Sequence, residues 1–151
     1  MPATPDIAPG HIGLSVTDLD RSLAFYREVL GLEVIQTSAD AGRRYAFLGA
    51  AGRLFLTLWQ QSEGGFEPRR AGLHHLAFQL PTFEAVQAVE ARVRALGVTP
   101  HYDGLVPHRE GGDSAALFFT DPDGIRLEVY SPAGAAGLAA PVPGAPSCGY
   151  F

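Results

Sequence analysis

Apolar residues recur along this chain with two different periods, and the switch between them outlines the elements. Over residues 10–16 every second side chain is aliphatic, Ile12, Leu14 and Val16, with His11, Gly13 and Ser15 between them. Side chains alternate across a strand, so this spacing predicts a strand with one aliphatic face and one mixed face. Three further stretches repeat the pattern. Leu76, Phe78 and Leu80 oppose His75, Ala77 and Gln79; Ile125, Leu127 and Val129 oppose Arg126, Glu128 and Tyr130; Leu54, Leu56 and Leu58 oppose Phe55, Thr57 and Trp59. Two longer stretches carry the helical period. Leu19, Leu23, Tyr26 and Leu30 line a helix that begins near Asp18 or Asp20, either able to cap its free N–H groups, and ends at Gly31. Phe83, Val86, Val89, Val93 and Leu96 line a second, which begins near Thr82 and meets Gly97.

The order of elements repeats after roughly sixty residues. Each half opens with a strand and a helix, and three strands follow, predicted near 33–37, 44–48 and 53–59 in the first half and near 99–103, 115–119 and 125–130 in the second. Asp121-Pro122-Asp123-Gly124 joins the last two, because Pro presets one turn dihedral and Gly supplies a positive φ. The expected class is α+β: paired βαβββ modules forming a curved mixed sheet around a cavity. The expected boundaries are an N-terminal extension at 1–9, one domain at 10–131 (modules 10–62 and 71–131, linker 63–70), and an irregular tail or surface strap at 132–151.

At 151 residues the chain suffices for one domain with a real core. Its net charge of -5, with no basic run, argues against nucleic acid as a partner. No apolar stretch reaches membrane-spanning length and residues 1–9 lack the regions of a signal peptide, so no membrane association and a cytoplasmic location are expected. A single cysteine, Cys148, forms no internal disulfide, which suits a reducing compartment.

The chemistry gathers on the mixed face. His11, His75 and Glu128 all fall there, at matching places in the repeat. A carboxylate between Leu127 and Val129 is costly to desolvate unless it is paired or bound to a metal. Two imidazoles and a carboxylate suit one divalent ion, with positions left for substrate or water.

Three segments, HIGLSVTDLDRSLAFYREVLGLEV (11–34), GLHHLAFQL (72–80) and FFTDPDGIRLEVYSP (118–132), resemble the vicinal-oxygen-chelate superfamily of glyoxalases, extradiol dioxygenases, fosfomycin-resistance thiol transferases and bleomycin-resistance proteins. The resemblance covers about 9–131 and implies metal ligation by His11, His75 and Glu128, by an Fe, Mn, Zn or Ni ion. It also implies a homodimer, in which His11 joins the other two from its own chain or from its partner. Many members carry a fourth ligand at the repeat-equivalent of Glu128, and aligning Leu54-Phe55-Leu56 with Leu127-Glu128-Val129 puts Phe55 there. Phe cannot ligate, so the three-ligand members are the nearer match. The implied function is a metal-dependent enzyme acting on a small substrate with two adjacent oxygens, leaning to a dioxygenase; a drug-sequestering binding protein and a thiol transferase are the alternatives. Tyr130 and His108 are the candidate proton donors. Phe55, Thr57, Trp59, Gln79 and Arg126 are the candidate substrate contacts. His74, one position out of phase with the mixed face, is expected at an edge. Tyr150 and Phe151, apolar for a chain end, suggest a tail that docks on the domain or on a partner subunit.

Overall fold

The structure, a computed structural model, describes residue 3 and residues 5–151; residues 1, 2 and 4 of the N-terminal extension lie outside the described residues. The first module comprises β1 (Ile12–Val16), α1 (Leu19–Leu30), β2 (Glu33–Ser38), β3 (Tyr45–Ala50) and β4 (Arg53–Gln60). The second comprises β5 (Leu76–Gln79), α2 (Phe83–Ala95), β6 (Val106–Pro107), β7 (Ala115–Thr120) and β8 (Arg126–Ser131). Each module is βαβββ and builds its own four-stranded mixed sheet, ordered β1-β4-β3-β2 and β5-β8-β7-β6. The first strand of each runs parallel to the last. The α+β expectation holds, with one sheet per module.

Local chemistry sets the element ends as expected. Asp18 caps α1 by accepting from the Arg21 N–H at 3.0 Å, and Gly31 closes it at φ 67° with its N–H on the Arg27 carbonyl. Thr82 caps α2 by accepting from the Ala85 N–H at 3.1 Å. One strand was misplaced. The second strand of the second module is the two-residue β6, not a strand at 99–103, because that stretch turns: Asp103 and Gly104 both hold positive φ, at 57° and 139°.

Aliphatic faces of both sheets and the inner faces of both helices share one core. Leu14, Val16, Leu56 and Leu58 of the first sheet belong to the same buried cluster as Leu76, Leu117, Leu127 and Val129 of the second. The mixed faces therefore point away from that core. The Asp121-Pro122-Asp123-Gly124 turn also ties the modules together. Its Asp121 carboxylate accepts from the Tyr26 hydroxyl of α1 at 2.8 Å, and Asp123 accepts from the Thr17 N–H at 3.1 Å and from Arg21 at 2.9 Å. None of the described helices is long and apolar enough to cross a membrane.

Candidate functional site

Strand alternation decides where Glu128 sits. Leu127 and Val129 enter the core, so the carboxylate between them stands on the outer face of the second sheet, beside Ala77 of the parallel neighbour β5. It is nonetheless only 2% exposed. A buried carboxylate needs partners, and it has two imidazoles. His75 Nε2, just before β5, lies 3.2 Å from Oε2. His108 Nε2 makes a short contact with Oε1, and its Nδ1 rests 2.6 Å from the Ser114 hydroxyl. Burial lowers the pKa of His75 from its ordinary value, against the raising influence of Glu128. That favours the neutral imidazole, the form that binds metals.

His75 is held from behind. Its Nδ1 lies 2.8 Å from Nδ1 of His74, whose Nε2 is 3.5 Å from an Arg126 Nη1. A partner on the rear nitrogen fixes the ring and leaves the other nitrogen facing the carboxylate. The exposed His74 is thus a positioning neighbour of the site.

The C-terminal tail roofs this face. Ser147 is buried, donating its hydroxyl to the Pro107 carbonyl at 2.9 Å and its N–H to the His108 carbonyl at 2.8 Å, while Tyr102 donates to the Ser147 carbonyl at 2.8 Å. Phe151 packs with its ring centroid 4.6 Å from that of Phe118 and 5.6 Å from that of His75, with the Arg126 guanidinium 5.9 Å from its centroid. Between these anchors Cys148 joins His75 and Glu128: among the described residues these three place one donor atom each within 4.8 Å of one another. Burial, with Glu128 adding to it, raises the thiol pKa.

The remaining candidates divide between the two faces. Tyr130 donates its hydroxyl to Gln79 at 3.1 Å on the same face as Glu128. His11 stands exposed before β1, on the other module's outer face, and is not among the donors gathered within one chain. Farther along that face, opposite Ser15, Trp59 donates to the Thr57 hydroxyl at 3.0 Å and packs against Tyr45 and Phe47 with centroids 5.1 and 5.8 Å away. Phe55 packs against the core under the Arg53 guanidinium. Strand register corrects the assignment of its place in the repeat. Ile12 pairs with Leu56 and Gly13 with Thr57, as Leu76 pairs with Leu127 and Ala77 with Glu128. The counterpart of Glu128 is therefore Thr57, not Phe55, and the first module still offers no carboxylate there. Cys148 and His74 escaped the sequence reading as site residues. The HH pair was visible but parity set His74 aside, and only the tail's path brings Cys148 in.

Comparison with known proteins agrees with this architecture. Residues 8–129 match the family described as the Glyoxalase/Bleomycin resistance protein/Dioxygenase superfamily. The chain is 32% identical over 125 residues to the catechol-2,3-dioxygenase of Bacillus subtilis, covering 81% of this chain and 40% of that protein. It is 30% identical over 129 residues to the manganese-dependent 2,3-dihydroxybiphenyl 1,2-dioxygenase of Geobacillus genomosp. 3, covering 84% of this chain and 38% of the other. It thus spans about two fifths of the length of these two relatives. Against the glutathione transferase FosA of Serratia marcescens the identity is 30%, and coverage is 86% of this chain and 84% of that one. A glyoxylase/bleomycin resistance protein/dioxygenase domain from Frankia sp. EAN1pec superposes with a TM-score of 0.68 at 25% identity, over 83% of this chain and 97% of that one. The chain belongs to the glyoxalase/bleomycin resistance protein/dioxygenase superfamily.

Proposed function

We propose that the protein is a metal-dependent enzyme acting on a small substrate that presents two adjacent oxygens, with ring cleavage of a catechol-like compound as the leading reaction. The observation that carries this reading is the buried carboxylate of Glu128 on β8, held against His75 just before the neighbouring strand β5. The donors fit a divalent ion. Two ligands about 2.0–2.3 Å from one ion lie at most about 4.6 Å apart, and His75 Nε2 and Glu128 Oε2 stand 3.2 Å apart. His75 and Glu128 would hold the ion. His11 completes the set from a second copy of the chain, because among the described residues it is not one of the donors that a single chain gathers around His75 and Glu128. The aromatic cluster of Tyr45, Phe47 and Trp59, on the same outer face as His11, gives such a copy an apolar surface to cover.

A bound ion supplies Lewis acidity toward adjacent substrate oxygens. The chain's own groups do the rest. His108 and Ser114 orient the Glu128 carboxylate, and the His108 imidazole can hold a proton at Oε1. The Tyr130 hydroxyl gives its proton to Gln79 Oε1 and so offers its lone pairs to substrate on the same face, donating to substrate only on leaving Gln79. Arg126 places a positive charge at the rim, where an anionic substrate group would arrive. A second reading, thiol transfer to a small electrophile, gains support from the length match with the glutathione transferase FosA.

The test is turnover after reconstitution. Protein stripped with chelator and reloaded with Fe(II) or Mn(II) should consume O₂ in proportion to a catechol added to it. Thiol consumption in the presence of fosfomycin instead would establish the transferase reading, and inertness toward both would refute the enzymatic proposal. Shared ligation is tested by mixing His11→Ala with Glu128→Gln protein after unfolding and refolding. Only heterodimers with shared sites regain an intact centre, so recovered metal supports the second copy's role and no recovery contradicts it.

A further inference from the structure

We propose that Cys148 is a metal donor of this site, delivered by the C-terminal tail to form a His75–Glu128–Cys148 set that selects thiophilic cations. The inference rests on the metal reading above and adds a ligand from outside the two βαβββ modules. Cys148 does not hang free near the site. Ser147 beside it is 1% exposed and fastened by three hydrogen bonds to Pro107, His108 and Tyr102, and Phe151 three residues on is wedged against Phe118. These anchors on either side hold the thiol where its sulfur, one His75 nitrogen and one Glu128 oxygen lie within 4.8 Å of one another.

Charge favours the set as well. A neutral imidazole, a carboxylate and a thiolate together cancel a divalent cation, so the filled site carries no net charge into a buried position. Binding forms the sulfur–metal bond as the S–H proton leaves to water. A thiolate ligand shifts preference toward zinc and cobalt and away from manganese, which favours oxygen donors.

Cobalt reports directly on sulfur ligation. Chelator-stripped protein is titrated with Co(II), and the near-ultraviolet sulfur-to-cobalt charge-transfer absorption is followed alongside bound metal. The expected result is one Co(II) per chain, with the absorption rising in step. Cys148 is the only cysteine, so any such absorption reports on it. In Cys148→Ser the absorption should vanish and Zn(II) affinity fall at least about tenfold, while Mn(II) affinity changes by less than about threefold. Co(II) bound by the wild type without that absorption would overturn the thiol's role and leave the metal reading standing. No Co(II) bound by the wild type would overturn both. The wild-type spectrum decides alone, so a variant that fails to fold cannot shelter the proposal.

Discussion

Replacing Tyr26 by Phe removes one oxygen and keeps the ring in its place against Phe25. That oxygen carries the hydroxyl given to Asp121 Oδ2 across the module boundary, 2.8 Å away, with Asp121 5% and Tyr26 0% exposed. Oδ1 keeps the N–H groups of Asp123 and Ile125, each at 2.9 Å, but Oδ2 loses its donor. A hydrogen bond to a buried charged group contributes about 1.5–3 kcal/mol, which in a domain of this size lowers Tm by roughly 3–12 °C. The loss also depends on pH. Burial raises the Asp121 pKa from its ordinary value, and the Tyr26 hydroxyl opposes that rise. A raised folded-state pKa means that the stability Asp121 contributes is fully present below its unfolded pKa and is lost as pH rises through the folded one. Without the hydroxyl the folded pKa climbs further, so the variant's deficit grows from about pH 4, the ordinary carboxylate range, to about pH 8. Urea unfolding at both pH values measures it. A deficit under about 0.5 kcal/mol, or one that shrinks toward pH 8, would refute this account of the turn.

Gly49 sits at the register shift between β3 and β4, where an added Cβ would lie 1.9 Å from the Arg53 carbonyl oxygen and 2.8 Å from Ile35 Cδ1. Gly49→Ala should therefore cost at least about 2 kcal/mol in urea unfolding, because the backbone must move; near-wild-type stability would contradict the bulge geometry. A docked tail predicts slow release of Phe151 by carboxypeptidase under native conditions and fast release in denaturant, followed by mass spectrometry; equal rates would count against docking. His11 is exposed, so His11→Ala should leave unfolding stability within about 0.5 kcal/mol while lowering metal content. Unchanged metal content would remove His11 from the site.

How far the sequence foretold this structure differs between the face and its roof. Alternation around Leu127 and Val129 was enough to place Glu128 on the outer face, because a strand's period of two leaves no choice. The same rule placed His75 beside it. Parity could not fix the equivalence between modules, since a slip of two residues keeps every side chain on its face, and Phe55 took the position that register gives to Thr57. The strand expected at 99–103 failed because positive φ at Asp103 and Gly104 is a matter of tertiary fit. Nothing local to Cys148 announces its neighbours. Its approach to His75 follows from hydrogen bonds made by Ser147 to Pro107 and His108, forty residues earlier in the chain. The turn at Asp121 was legible as a turn, but its clasp on Tyr26 and Thr17 appears only when both modules are folded.

The claim on which the rest depends is that His75 and Glu128 hold a divalent cation, and calorimetric titration tests it most directly. Mn(II) added to chelator-stripped wild-type protein should saturate at one ion per chain, and Glu128→Gln, which retains the shape but not the charge, should bind none. A wild type that binds no metal, or a glutamine variant that binds it equally well, would contradict the account.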